Sequence, residues 1–180
     1  MNSSRGARSG GRETTLQMLY AVEAVPVRGT ENSGGTRVES PIESFDCEQF
    51  LRTYWASFED AETLTTAPPM EVRAFADRAL RETVANLALI DERIRRASQN
   101  WRLERMTRVD RNIVRLATFE LFFMPETPRA VVIDEAVELA KMFGTEESPK
   151  FVNGILEKVA DDAGRERGDG VQKTRTRRVP

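Results

Sequence analysis

The chain has 180 residues, 39% of them hydrophobic, and a formal net charge of −2 at pH 7, as expected of one globular domain. It contains no histidine, and Cys47 is its only cysteine. Catalysis by histidine, disulfides within the chain and zinc sites built from histidine and cysteine are therefore excluded, whereas sites made of carboxylates stay open. With so little covalent chemistry available, a binding role becomes the leading hypothesis.

The charges are unevenly distributed along the chain. The first twelve residues carry +3, from Arg5, Arg8 and Arg12. Residues 165–180 carry six basic and two acidic side chains, hence +4, and the remainder carries −9. Two basic ends around an acidic body are compatible with a nucleic-acid partner, and they are equally compatible with a role in solubility alone. We predict a flexible basic arm over residues 1–12 and a disordered basic tail over residues 164–180.

The sequence predicts a cytoplasmic protein without a membrane partner. Residues 1–12 are polar and glycine-rich, and no apolar segment of the kind found in a secretory signal follows them. No apolar run approaches the ~20 residues that span a bilayer. A single cysteine also fits a reducing compartment.

Apolar residues recur at helical spacing through most of the chain. They predict helices over residues 13–25, 45–58, 70–97, 107–124, 131–143 and 148–163. The helix over 70–97 could divide between Asn86 and Asp91. Residues 26–44 are rich in Gly, Pro, Ser and Thr, which predicts a flexible inserted loop. Because no segment alternates with period two for long enough to form a strand, we predict an all-α fold with about seven helices.

Several residues predict where these helices begin and end. Thr107 and Asp110 have the spacing of a capping box. Gly144 occupies a position where a positive φ is expected after a helix. Ser148 and Pro149 then form a predicted N-cap and first-turn proline.

Three segments resemble the NusB family of bacterial transcription antitermination and rRNA-processing factors. They are IDEAVELAKMFGTEESPKFVNGILEKVA at 133–160, RVDRNIVRLATFEL at 108–121 and RETTLQMLYAVE at 12–23. The resemblance implies a NusB-like domain over residues 13–163, built from two small packed helical bundles. We place the N-terminal bundle at about 13–88 and the C-terminal bundle at about 89–163. The insertion over 26–44 and the C-terminal tail are not part of the resemblance.

Family members bind the boxA element of ribosomal RNA leader transcripts together with NusE, a small-subunit ribosomal protein. The complex helps RNA polymerase to resist premature termination. The resemblance thus implies a factor that binds single-stranded boxA RNA and NusE, acts within the antitermination complex of RNA polymerase, and supports processive transcription and rRNA maturation. It implies no cofactor and no metal. The sequence leaves the oligomeric state open, with a homodimer as one alternative.

The arginine-rich N-terminal arm of the family contacts RNA. Its candidates here are Arg5, Arg8 and Arg12, of which the last two fall on family arginine positions. Ser9 and Gly10 stand where further arginines are typical. Each missing arginine removes one phosphate contact and flattens the salt dependence of binding.

The resemblance assigns a second group of RNA-binding residues to the turn before the last helix. Lys150 and Phe151 match an RNA-facing pair, and Glu147 falls on an acidic family position beside them. A lysine can neutralise a phosphate, and an exposed aromatic ring can stack an unpaired base for ~1–3 kcal/mol. The alternative is structural, with Phe151 packed on Ile155 and Lys150 in solvent.

Tyr20 and Asp110 fall on family positions that contact NusE. Their structural alternatives are a core aromatic and the capping box. Gly154 lies inside the last predicted helix, where glycine costs ~1 kcal/mol against alanine. This glycine indicates close approach of another helix or of RNA, and helix packing is the favoured interpretation.

Two other functions compete with RNA-dependent antitermination. NusB-like domains also occur fused to an RNA cytosine methyltransferase, which needs a Rossmann-like domain and an activated cysteine. The chain lacks a glycine-rich strand–turn–helix motif, and no basic cluster surrounds Cys47 in sequence, so we predict no enzymatic activity. The second alternative is a protein-interaction module with weak or lost RNA binding. The N-terminal arm favours it, because Ser9 and Gly10 stand there in place of arginines.

Overall fold

The computed structural model describes residues 3–24, 45–59, 66–98 and 103–165, without the side chains of residues 3–5 and 104. The described residues form seven α-helices and no strand, which confirms the all-α prediction. The helices are α1 (Ser3–Ala24), α2 (Cys47–Ala56), α3 (Met70–Ala85), α4 (Leu87–Ala97), α5 (Arg108–Phe123), α6 (Arg129–Phe143) and α7 (Ser148–Asp162). A short 3-10 turn, Leu103–Arg105, precedes α5.

Helix α1 begins ten residues earlier than the sequence predicts, so residues 3–12 are helical rather than a flexible arm. The glycines that weaken this helix intrinsically allow it to approach α3 closely. A Cβ at Gly11 would lie 2.6 Å from the ring of Phe75. The hydroxyls of Thr14 and Thr15 donate hydrogen bonds to the carbonyls of Gly10 and Gly11. Tertiary packing thus outweighs low helix propensity. The insertion at 26–44 and tail residues 166–180 lie outside the described residues.

Two groups of helices share one hydrophobic core. Helix α1 packs along α3, and α2 lies against α3. Helices α4, α6 and α7 surround α5, which also contacts α1 and α3. Fully buried side chains from both groups meet in this core, among them Leu19, Leu80, Ile113, Phe119 and Leu156. The arrangement agrees with two packed bundles, whereas the boundary near residue 88 stays a prediction.

Buried ion pairs join α1 to the other group. Arg12 is 2% exposed and donates to both carboxylate oxygens of Glu120 at 2.8 and 2.7 Å. A Glu135 oxygen lies 3.4 Å from the same guanidinium. Burial alone would lower the pKa of Arg12, but the two carboxylates raise it above its ordinary value. Arg12 therefore stays charged and fixes α1 to α5 and α6.

A second ion-pair cluster lies further along α1. Arg115 donates to Asp91 through two bonds of 2.7 Å and to Glu23 at 2.5 Å, so it links α5 to α4 and α1. Arg111 donates two further bonds to Glu23, at 3.1 and 3.0 Å. Burial would raise the pKa of Glu23, but these two guanidinium groups hold it below its ordinary value. The Glu23 carboxylate is thus part of the scaffold.

Candidate nucleic-acid and partner interface

The turn between α6 and α7 differs from the prediction at two residues. Gly144 has φ −92°, not a positive φ, and is required for space, because a Cβ there would lie 2.5 Å from that of Ser148 and 2.7 Å from the Ala140 carbonyl oxygen. Ser148 does not cap α7. Its Oγ accepts a hydrogen bond from the Thr145 amide at 2.8 Å, and Glu147 takes the N-cap position. A compact turn therefore fixes the start of α7.

A cavity of about 560 Å³ opens beside this turn, and we call it the α7 cavity. Its walls come from the first three turns of α7, the start of α5, the 3-10 turn and the residue after α4. All three predicted RNA-binding residues of the turn, Glu147, Lys150 and Phe151, line this cavity. Asp110, predicted to contact NusE, lines it as well. The fold thus brings four predicted site residues together.

These side chains differ in exposure. Lys150 and Glu147 are exposed, whereas Phe151 is half-buried and packs against the hydrophobic core. The structural alternative for Phe151 is therefore part of its role, although the ring still forms a wall of the cavity. Asp110 is 6% exposed. The Thr107 half of the predicted capping box forms, since the Thr107 Oγ1 accepts a hydrogen bond from the Asp110 amide at 3.1 Å.

Sequence reasoning missed several further residues of the α7 cavity, among them Ser98, Arg105 and Lys158. Lys158 had a usable signal, because Lys150, Gly154 and Lys158 follow one another at i, i+4 and i+8 on one helix face. Arg105 and Ser98 had none, because they lie in the segment between α4 and α5 and reach the cavity only through the fold. Arg105, Lys150 and Lys158 are all exposed cations.

Gly154 corrects another expectation. No atom lies within 4 Å of a Cβ built at this position, so close helix packing does not explain the glycine. Gly154 instead lines the α7 cavity. The missing side chain leaves the cavity wall open between Lys150 and Lys158.

The three arginines predicted to form an RNA-binding arm differ in their burial and position. Arg12 is buried against Glu120, so it is not available to a phosphate, and this corrects its assignment to RNA. Arg8 is exposed on α1 and is not among the residues that line the α7 cavity. The Arg5 side chain lies outside the described part of the chain.

Tyr20 marks a second surface, which we call the α1 groove. This groove encloses about 320 Å³ and is lined by Leu16, Gln17, Tyr20, Val109 and Phe143. Tyr20 is 44% exposed, so it is not the core aromatic of the structural alternative. The Arg108 guanidinium lies 5.0 Å from the centroid of its ring. Asp110 does not line this groove, although its neighbour Val109 does.

Cys47 is the only candidate nucleophilic cysteine of the sequence. Cys47 is half-buried, and burial raises the pKa of its thiol, which disfavours the nucleophilic thiolate. Within the described ranges, no cluster of three acidic or sulfur side chains could hold a metal ion. None of the helices in those ranges has the length and apolar character needed to cross a bilayer.

These features define an all-α protein whose described surface carries a cation-rimmed cavity and an apolar groove. The chain belongs to the NusB family, whose sequence model matches residues 10–161. The transcription antitermination protein NusB of Sorangium cellulosum is 48% identical over 160 residues, which cover 89% of this chain and 96% of that protein. The Myxococcus xanthus protein of the same name is 40% identical over 155 residues, which cover 86% of this chain and 95% of that protein.

Solved structures share the fold. NusB of T. maritima is 34% identical, with a TM-score of 0.64, over 86% of this chain and 91% of that one. A chain in a crystal structure of the antitermination factors NusB and NusE in complex with dsRNA is 22% identical, with a TM-score of 0.61, over 87% of this chain and 97% of that one. At that identity the second similarity shows the fold alone.

Proposed function

We propose that the chain is a transcription antitermination factor that binds boxA-type single-stranded RNA of rRNA leader transcripts together with NusE. In this proposal it acts in the cytoplasm, within the antitermination complex of RNA polymerase, and supports processive transcription and rRNA maturation without catalysing a reaction. Family membership supports this function, as do the relatives named transcription antitermination protein NusB. A protein of the same fold occurs with NusE and dsRNA in a crystal structure, which is compatible with the two proposed partners.

The observation that carries the RNA half of the proposal is the α7 cavity. Lys150 at its rim can neutralise a phosphate, and Phe151 in its wall offers a ring to an unpaired base. Glu147 at the same rim repels phosphate and thereby limits the affinity. Arg8 and Arg5 on the first turns of α1 are proposed to add phosphate contacts, whereas Arg12 is not.

The α1 groove supports the protein half of the proposal. An exposed tyrosine beside apolar side chains is typical of the centre of a protein interface. Met142, which directly precedes the groove residue Phe143 in α6, is a further exposed apolar side chain at 59% exposure. We place NusE on this groove through Tyr20. The assignment of Asp110 to NusE stays a prediction, since this residue lines the α7 cavity and only its neighbour Val109 lines the groove.

A titration with boxA RNA tests both halves. We expect an affinity that falls with salt and rises when NusE is present. Lys150→Glu should weaken RNA binding at least about tenfold, because one phosphate contact becomes a repulsion. Lys141→Glu is the matched control, because Lys141 is exposed on α6, pairs with Glu138 at 2.6 Å and does not line the cavity. Equal losses in the two variants would remove Lys150 from the site.

The second candidate is a protein-interaction module with weak or lost RNA binding. The burial of Arg12 favours it, because the thinned arm loses one more phosphate ligand. Binding of NusE without measurable RNA affinity at low salt would select this alternative. A homodimer could use the α1 groove instead, which a molar-mass measurement with and without NusE would reveal.

A further inference from the structure

Two residues that line the α7 cavity each carry a buried side-chain oxygen that lacks a hydrogen-bond partner among the described residues. Ser98 and Asp110 are 5% and 6% exposed, and both line the cavity. Neither the Ser98 Oγ nor the Asp110 Oδ1 has a partner among the described residues. A buried polar atom without a partner costs about 1–3 kcal/mol. A ligand in the cavity that brings hydrogen-bond donors would satisfy these two oxygens once the side chains turn toward it.

The other walls limit what that ligand can be. The cavity of about 560 Å³ has the volume of a small-molecule site. The half-buried Phe151 contributes an apolar part of the wall, and the open position at Gly154 leaves room for a flat group. The rim cations Arg105, Lys150 and Lys158 favour a group that is flanked by negative charge. A nucleobase between two phosphates combines these properties.

We propose that the α7 cavity holds one unpaired nucleotide whose base carries an exocyclic amino group. The amino N–H donates a hydrogen bond to the Asp110 carboxylate, and the Ser98 hydroxyl forms a second bond with the edge of the base. The flanking phosphates lie against Arg105 and Lys158. This inference rests on the proposed RNA-binding function and extends it by naming a class of base and four residues that recognise the nucleotide.

The carboxylate determines which bases are accepted. Cytosine carries an amino group at C4, where uracil carries a carbonyl oxygen. The C4 amino group of cytosine can donate to Asp110, whereas the C4 carbonyl oxygen of uracil would face the carboxylate without a shared proton. Uracil could donate to Asp110 only through its ring N3–H, which requires the base to shift within the cavity. Because the two bases otherwise stack similarly, cytosine and uracil form a matched pair of ligands.

The test measures the full chain against oligocytidylate and oligouridylate of equal length by fluorescence anisotropy. We expect tighter binding of oligocytidylate by about tenfold. Asp110→Ala should bring the ratio of the two affinities close to one, and Ser98→Ala should reduce it. Thr118→Val is the matched control, because the buried Thr118 hydroxyl also lacks a partner among the described residues but lies outside the cavity lining. It should leave the ratio unchanged.

The rim cations have a different signature. Arg105→Gln and Lys158→Gln should each lower the affinity for both oligonucleotides to the same extent. Each should also reduce the slope of log affinity against log salt by about one. The cytidylate-to-uridylate ratio should stay as it is in the unmodified chain. Circular dichroism and thermal unfolding establish which variants are folded, and Ser98→Ala tests the polar wall if Asp110→Ala does not fold.

Three results would overturn the inference. Equal affinities for the two oligonucleotides in the unmodified chain would show that the cavity does not distinguish the bases. An unchanged ratio in Asp110→Ala, with weaker NusE binding, would assign the carboxylate to the protein partner. Failure to bind either oligonucleotide or boxA RNA would overturn the proposed function as well, whereas binding without base preference would overturn this inference alone.

Discussion

The first turns of α1 and the first turns of α7 both resemble RNA-binding segments of the NusB family, but their basic side chains have different environments. Arg12 on α1 is buried between two carboxylates, whereas Lys150 on α7 is exposed at the rim of a cavity. The same kind of charge thus holds helices together in one region and is available to a ligand in the other. The comparison teaches that burial and pairing, more than the number of cations, determine what a basic residue does.

Substitution of Arg12 is expected to have the largest effect on folding. Arg12→Ala should lower the free energy of unfolding by about 3–5 kcal/mol, because it leaves the buried Glu120 carboxylate without its partner. Arg8→Ala, which removes an exposed arginine one turn earlier, should change the stability by less than about 0.5 kcal/mol. Urea unfolding followed by circular dichroism compares the two variants.

In RNA binding the order is reversed, with the larger effect expected for Arg8→Ala and the smaller for Arg12→Ala. Arg8→Ala is expected to flatten the salt dependence, because it removes one proposed phosphate contact. Folded Arg12→Ala, measured well below its unfolding temperature, should keep the salt slope of the unmodified chain. A stable Arg12→Ala protein with a reduced slope would return Arg12 to the RNA site.

Acid is expected to have an intermediate effect, again through the scaffold. The pKa of Glu23 is lower in the folded chain than its ordinary value, because Arg111 and Arg115 hold the carboxylate. Its contribution to stability is therefore present above the unfolded-state pKa and is lost as the pH falls through the lower, folded-state pKa. Glu23→Gln should flatten the decline of the unfolding free energy below about pH 5.

Glu48→Gln is the surface counterpart of that variant. Arg81 also lowers the pKa of Glu48, through a hydrogen bond of 2.6 Å, but both groups are exposed to solvent. Solvent screens such a pair, so this variant should change the acid dependence much less. Equal flattening in the two variants would mean that the Glu23 cluster contributes no more than a surface ion pair.

The helices were predictable because their signals are local. Apolar spacing and prolines predicted α2 to α7 to within a few residues. The division that the sequence allowed between Asn86 and Asp91 occurs at Asn86. The start of α1 was missed, because the glycines that argue against a helix are compensated by contacts with α3. The pairing of Arg12 was missed for a related reason, since its partner Glu120 is 108 residues away in sequence.

The candidate site was predictable only where a sequence resemblance carried it. Lys150, Phe151 and Glu147 belong to one continuous segment, so the resemblance named them together. Ser98 and Arg105 come from the segment between α4 and α5, and no periodicity marks them as neighbours of α7. A cavity is a property of the space between elements, and a sequence does not display that space directly.

Two glycines sharpen the comparison between scaffold and site at the smallest scale. Gly144→Ala should destabilise the chain, because its Cβ would overlap Ser148 and the Ala140 carbonyl oxygen. Gly154→Ala should instead raise the free energy of unfolding by up to about 1 kcal/mol, because the new methyl group meets open space inside a helix. Thermal and urea unfolding of the two variants measures both effects.

Gly154 should nevertheless be sensitive to size when RNA is the readout. Gly154→Ala is expected to bind RNA nearly as well as the unmodified chain, whereas Gly154→Leu should fill the α7 cavity and weaken binding at least about tenfold while the helix stays folded. Normal RNA affinity in Gly154→Leu would show that nothing enters the cavity there. In that case Gly154 would have no role in ligand binding, and the ligand would have to lie along the exposed rim of the cavity.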